Sequence, residues 1–392
     1  MKKTICVVTG SRAEYGLFYP LLEEIRKTSI FQLQIIATGM HLSSIYGFTY
    51  KEILRDGFTI HEKVRIPLED DTPEGVTKSL GMAVIGFASA FKKLKPDLVI
   101  LLGDRFETYS AAIAAFVAMI PIAHLHGGEL TEGAIDDVFR HSITKMSSLH
   151  FTSIEDYKRR VIQLGENPSR VFNVGALGID NIKALKPFSK SEFQKWAGIK
   201  FKKHSLLITF HPVTLENNTS REQFSKLLLA LDEQKETTLL FTRANADTFG
   251  RVINRMIDEY VGDNRDKAKA FTSMGQLRYL SVMKYADAVV GNSSSGIMEA
   301  PSFKIGTINI GQRQAGRIRA KSVIDCLPDE QSIKKAFKKL YSLEFKRALR
   351  SVVNPYGDGN ATKRIVRVLK TVDLKGIIIK KFYDIPFKVK NK

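Results

Sequence analysis

Cysteine is scarce in this chain, with Cys6 and Cys326 the two among 392 residues. Two cysteines so far apart exclude a disulfide framework and any cysteine-based metal spacing, and they fit a cytoplasmic protein. Long apolar runs are missing too. None approaches the ~20 residues that a membrane span needs, so membrane insertion is not expected. The opening Met1-Lys2-Lys3-Thr4-Ile5-Cys6-Val7-Val8-Thr9-Gly10 superficially looks like a signal peptide. Its apolar run is too short, and Gly10-Ser11-Arg12-Ala13-Glu14 follows at once, so it reads as a first β-strand. There is no low-complexity tract, serine nucleophile elbow, zinc-ligand pair or P-loop. No metal site and no cofactor are expected.

Acidic residues are outnumbered, 41 against 60 basic, for a net charge of +19. Such a balance points first to nucleic acid. The basic residues, however, are spread along the chain and are densest from Lys363 to Lys392, with no aromatic-interleaved stripe. No nucleic-acid partner is expected, and a positive field equally suits an enzyme with a nucleoside-diphosphate substrate.

What is present is a βαβ rhythm. Candidate strands fall at Thr4–Thr9, Phe31–Ala37, Leu98–Leu102, Ile120–Leu125, Leu149–Thr152 and Arg170–Asn173. Between them Tyr19–Lys27, Thr72–Leu94, Thr108–Ala118, Val138–Met146 and Glu155–Leu164 carry apolar residues at helical spacing. The pattern predicts a parallel sheet covered on both faces. It breaks near Pro187-Phe188-Ser189-Lys190 and restarts at Ser205–Phe210, with further strands expected at Thr237–Phe241, Ala268–Thr272, Ala286–Val290 and Gly306–Ile310. At this length two domains are expected. The chain divides into a Rossmann-like domain over 1–185, a second over 186–360, and a C-terminal helix and tail over 361–392 returning toward the first.

Ligands of such sheets sit at the carboxyl ends of the strands, and there the polar, glycine-flanked clusters gather. The most informative is Gly291-Asn292-Ser293-Ser294-Ser295-Gly296. A small hydroxyl-rich turn between strand and helix presents free N–H groups to an anion, phosphate above all. Glu299, expected near the first turn of the helix, could accept hydrogen bonds from two ribose hydroxyls. An ordinary turn with Glu299 as a capping acid is the plainer alternative. Arg12, Arg313 and Arg317 are candidates to hold a diphosphate. His211 could donate to a phosphate or to the breaking bond, and Asn245 could meet the base or ribose. Asp104, Glu129 and the Asp136-Asp137 pair are candidate proton-transfer groups. Arg105 could neutralise Asp104, and Asp136 or Asp137 could cap the next helix.

These clusters, in order, resemble the hydrolysing UDP-N-acetylglucosamine 2-epimerases of bacterial sialic acid synthesis, over nearly the whole chain. Carrying the resemblance are Thr9-Gly10-Ser11-Arg12-Ala13-Glu14-Tyr15-Gly16, Thr38-Gly39-Met40-His41, Gly103-Asp104-Arg105, His124-Leu125-His126-Gly127-Gly128-Glu129, Arg140-His141-Ser142-Ile143-Thr144-Lys145, Phe210-His211-Pro212, the Gly291–Gly296 turn and Phe382-Tyr383-Asp384-Ile385-Pro386. The resemblance implies a GT-B fold, two Rossmann-like domains around a cleft, and a homodimer. It implies that UDP-N-acetylglucosamine is converted to UDP and N-acetylmannosamine, through elimination of UDP to 2-acetamidoglucal and rehydration. By position it assigns Arg12, Arg105, His211, Asn245, Ser293, Ser294, Gly296, Glu299 and Arg313 to UDP. His41, Arg140 and His141 fall to the sugar, and Asp104, His126, Glu129 and Asp136 to proton transfer. Many relatives have a catalytic Glu where this chain has His126, so either His126 or Glu129 takes that role.

Four other readings compete. The same reaction on a nucleotide-linked 2,4-diacetamido-2,4,6-trideoxyglucose would serve legionaminic acid synthesis, and the motifs do not separate it from the first. A non-hydrolysing epimerase would keep UDP attached. A GT-B glycosyltransferase would need an acceptor to release UDP. A non-enzymatic basic protein would bind polyanions without turnover.

Overall fold

Two fully parallel sheets make up the protein, known here from a computed structural model that describes residues 2–131, 134–212, 219–244 and 250–386. The first contains β1 (Lys3–Thr9), β2 (Phe31–Thr38), β3 (Glu62–Val64), β4 (Leu98–Leu102), β5 (Ile122–Leu125), β6 (Leu149–Thr152) and β7 (Val171–Asn173), in the order 3-2-1-4-5-6-7. The second contains β8 (His204–Thr209), β9 (Thr237–Thr242), β10 (Ala268–Phe271), β11 (Ala288–Gly291), β12 (Gly306–Ile310) and β13 (Val323–Cys326), in the order 10-9-8-11-12-13. Every pairing is parallel, as from Lys3↔Phe31 to Thr9↔Ala37 between β1 and β2. The central strands are buried along their whole length, which is why they read as continuous apolar runs. This is the fold class the sequence implies.

The edge strands β3 and β13 were not expected. Glu-Lys-Val and Val-Ile-Asp-Cys are short, half-polar segments with no sustained period. The first helix also begins at Arg12 instead of Tyr19. Ser11 caps it by accepting the Glu14 N–H, and Pro20 lies inside the helix, not at its start. The cluster after β1 is therefore a helix N-terminus.

Helix Ala361–Thr371 crosses back to the first sheet. Its Ile365, Val366 and Leu369 join the core built from β1, β2 and helix Arg12–Lys27, each such burial contributing roughly 1.5–3 kcal/mol. Asp180 fixes its start, since the two carboxylate oxygens accept the N–H groups of Ala361 and Thr362 at 2.9 and 2.7 Å. Between the sheets a small core of Ile154, Tyr157, Ala176, Ile179, Ile297 and Tyr356 joins the two halves. No helix among the described residues is long and apolar enough to cross a membrane.

Candidate active site

The carboxyl ends of both sheets face one cavity of about 360 Å³. From the first sheet it is lined by Arg12, Asp104, Arg105, His126, Glu129, Asp136 and Arg140. From the second come His211, Ser293, Ser294, Glu299, Arg313 and Arg317. Three expected residues are not part of its lining. His41 is buried behind it, bonded to Thr9 Oγ1 at 3.1 Å and Thr49 Oγ1 at 2.8 Å. Burial pushes its pKa down to about 3, so it acts as a neutral post under the loop after β2. His141 lies on the helix beyond Arg140, next to Asp137. Gly296 is buried against Thr307, where a Cβ would come within 2.7 Å of Thr307 Cγ2. Asn245 lies outside the described residues.

Backbone demands shape the loops. Gly291, at φ +131°, passes so close to β8 that a Cβ would sit 2.0 Å from the Thr209 carbonyl oxygen, so only glycine fits. Asn292 next to it is buried, accepts the His211 N–H at 2.7 Å and donates to the His211 carbonyl at 2.8 Å. Its own carbonyl accepts from Arg313 Nη1 at 3.2 Å and Gln314 Nε2 at 2.9 Å. One asparagine thus ties together the loops after β8, β11 and β12. A buried asparagine in a glycine–serine run gives no periodic signal, and sequence reasoning passed over it.

Helix Ser294–Met298 is a single short stretch, so little helix dipole is available to an anion. Its N-cap Ser293 accepts the Ser295 N–H at 3.3 Å. Glu299 closes this helix and does not sit in its first turn. It faces the cavity half-buried, and desolvation pushes its pKa up to about 7. Arg12, partly buried, donates to Ser273 Oγ of the second half.

The residues expected to transfer protons form a network. Glu129 is 2 % exposed. Its Oε1 accepts from His126 Nδ1 at 2.8 Å and Ser153 Oγ at 3.0 Å, and its Oε2 pairs with Arg317 Nη1 at 2.9 Å. Burial alone would raise its pKa, but Arg317, His126 and Arg140 together outweigh it and hold the carboxyl below the ordinary range. Glu129 is therefore a fixed anion, not a group that exchanges protons near neutrality.

His126 has φ +65°, the left-handed region that non-glycine residues seldom occupy. With Nδ1 directed at Glu129, Nε2 is left without a hydrogen-bond partner among the described residues. A carboxylate on Nδ1 fixes the tautomer and leaves Nε2 as the basic nitrogen.

The Arg105 polar contacts seen among the described residues run to Glu107. The Arg105 Nε and Nη2 bond Glu107 Oε1 at 3.3 and 3.1 Å. Asp104 is held by Arg140 Nη2 instead, which also donates to Thr131 Oγ1 at 2.6 Å. Arg140 Nη1 donates to the Glu129 carbonyl at 2.8 Å and Asp137 Oδ1 at 3.0 Å. Arg140 is 1 % exposed, so it organises the acids more than it offers itself to a ligand. Asp136 and Asp137 begin helix Asp136–Met146. Only Asp136 of the two lines the cavity. Arg317 is likewise committed, to Glu129, to the Leu130 carbonyl at 3.2 Å and to Met298 Sδ at 3.0 Å. Its Nε and Nη1 are thus engaged with protein groups while it lines the cavity.

Sequence reasoning also missed Glu14, which lines the cavity from helix Arg12–Lys27. Its Oε2 accepts the Gly10 N–H at 2.6 Å. Burial pushes its pKa up to about 7, with the Gly10 bond opposing and Glu107 adding to the rise.

A family model described as UDP-N-acetylglucosamine 2-epimerase matches residues 23–370. A hydrolysing GDP/UDP-N,N'-diacetylbacillosamine 2-epimerase of Campylobacter jejuni is 46% identical over 385 residues, 98% of this chain and 100% of its own. A polysialic acid biosynthesis protein P7 of Escherichia coli is 40% identical over 98% of both chains. The crystal structure of a Neisseria meningitidis UDP-GlcNAc 2-epimerase bound to UDP-GlcNAc superposes with a TM-score of 0.80, over 94% of this chain and 100% of that one. At 18% identity that is a likeness of fold.

Proposed function

The chain belongs to the UDP-N-acetylglucosamine 2-epimerase family, and we propose that it is a hydrolysing 2-epimerase that releases UDP from a 2-acetamido nucleotide sugar. The observation that carries this reading is the buried His126–Glu129–Arg317 arrangement in the lining of the cavity between the two sheets. It supplies a tautomer-fixed base on one side, with Asp104 and Asp136 as further acids.

In this mechanism His126 Nε2 takes the C2 proton. The C1–O bond to UDP breaks, and a C1=C2 double bond forms in an enzyme-bound glucal. Water then adds across the double bond: its oxygen bonds to C1 and one of its protons passes to C2 from the opposite face, relayed by Asp104 or Asp136, while His126 gives up the C2 proton to solvent. The sum is hydrolysis with inversion at C2. Arg12, Arg105, Arg313, His211, Ser293 and Ser294 supply fixed positive charge and donors to the departing diphosphate. Glu299 accepts the ribose hydroxyls. Asn245 belongs with the nucleotide by position. In this reading the nucleotide-binding and sugar-binding units meet near residues 185 and 360, and the protein acts as a homodimer.

For the sugar, we place 2,4-diacetamido-2,4,6-trideoxyglucose first. The resemblance read from the sequence favours N-acetylglucosamine, although its motifs do not separate the two sugars. The relative named for diacetylbacillosamine, at 46% identity end to end, reverses that order. UDP-N-acetylglucosamine remains the second reading, supported by the relative named for polysialic acid. The test is UDP release from each nucleotide sugar without any acceptor. Faster release from the diacetamido sugar is expected. Faster release from UDP-N-acetylglucosamine would return the protein to sialic acid synthesis, and release only with an acceptor would make it a glycosyltransferase.

A further inference from the structure

The segment Ile377–Asp384 has no part in the mechanism above, yet it is tied to the first sheet's outer end by several independent contacts. Arg170 Nη1 donates to the Ile377 carbonyl at 2.7 Å, and the Tyr383 N–H donates to the Gly165 carbonyl at 2.9 Å. The Phe382 ring lies against Gly165, where a Cβ would come within 2.3 Å of the ring. Lys145 Nζ stands 5.1 Å from the centre of the same ring.

At the middle of this strap is Lys380. Its ammonium donates to the carbonyls of Lys145 and Ser147 at 2.8 and 2.7 Å, and to Glu166 Oε2 at 2.7 Å. Those two carbonyls are at the C-terminal end of helix Asp136–Met146, where backbone oxygens have no partner within the helix. A cation there also suits the negative end of the helix dipole. Glu166, 2 % exposed, collects Lys145 Nζ at 2.6 Å and His150 Nε2 at 3.0 Å on the same spot.

The opposite end of this helix enters the active site. Asp136 lines the cavity, and Arg140 reaches Asp104, Thr131, Asp137 and the Glu129 carbonyl from one guanidinium. The helix is about 16 Å long. Its depth and rotation therefore decide whether Arg140 meets the three partners that lie outside the helix, Asp104, Thr131 and the Glu129 carbonyl. We propose that Lys380 is a positioning residue for the reaction, locking the far end of helix Asp136–Met146 so that Asp136 and Arg140 keep their place beside Asp104. The activity readout rests on the reaction proposed above, while the second readout does not.

Lys380→Met keeps the apolar stem and removes the ammonium. It should lower kcat about 10-fold, a typical result of misplacing a catalytic group slightly, with KM and UDP affinity within about 2-fold because most of the proposed nucleotide contacts, His211, Ser293, Ser294, Glu299 and Arg313, come from the other sheet. Lys380→Arg should restore most of the rate. Independently of any turnover, amide hydrogen exchange over 136–146 should quicken in Lys380→Met while that over 294–298 stays unchanged. Should wild type be inert toward both sugars, the proposed reaction fails and the exchange result alone decides the role of Lys380. Unchanged kcat with unchanged exchange overturns the proposal. So does a uniform loss of kcat, UDP affinity and exchange protection, which would make the strap a general fold element. If Lys380→Met does not fold, Phe382→Ala is read in the same way, with the same split expected and the same outcomes overturning it.

Discussion

Arg317 and Glu129 come from opposite sheets and meet as a buried ion pair at 2.9 Å. The pair connects the loop after β12 to the loop after β5, where Glu129 orients His126. One contact therefore links the second half of the protein to the proposed base, His126. Removing either partner leaves the other charged and buried, the costly case for an ion pair.

Arg317→Met should therefore destabilise the protein by about 3–5 kcal/mol and lower kcat at least 10-fold. Adding Glu129→Gln should recover much of the stability and none of the rate. Urea unfolding and steady-state kinetics on the single and double variants check both statements.

His126→Asn should cost about 10²- to 10⁴-fold in kcat, the span of a lost general base. Asparagine tolerates the left-handed backbone at this position, so the fold should hold. UDP binding by calorimetry should stay near wild type. Near-normal turnover would move the base elsewhere.

Glu14 and the pH profile of stability are linked. Its pKa rises from an ordinary 4.5 to about 7 in the folded protein. Below pH 4.5 both states hold the proton and the group costs nothing. As pH rises toward 7 the unfolded chain ionises first, so stability falls across that window and then levels off. Glu14→Gln should flatten the fall, as seen by unfolding midpoints at pH 4.5, 6 and 8.

Glu299 should make UDP binding release protons. Unliganded, its pKa is about 7. Hydrogen bonds from ribose hydroxyls favour the carboxylate, so affinity should rise with pH through neutrality. Calorimetry in buffers of different ionisation heat should find proton release near pH 6.5 for wild type and less for Glu299→Gln.

Much of this was legible in the sequence because parallel strands buried on both faces are long apolar runs, and because glycine-flanked polar clusters follow them. Leu98–Leu102, Leu149–Thr152 and Gly306–Ile310 fall where the pattern places them. Residues whose role depends on a distant partner were not legible. Arg317 reads as a phosphate ligand until Glu129 is seen beside it, and Arg105 reads as the partner of Asp104 until Arg140 takes that place. His41 sits in a loop cluster like its neighbours, yet its ring turns inward onto two threonines. Glu14 was hidden because the apolar spacing suggested a helix only from Tyr19, which left Glu14 in the cluster after β1.

The most direct test runs the reaction in heavy water and follows it by proton NMR. The account predicts free UDP together with a 2-epimeric amino sugar carrying deuterium at C2, and loss of both in His126→Asn. Release of UDP with the C2 proton retained would contradict it, because the C2–H bond would never have broken.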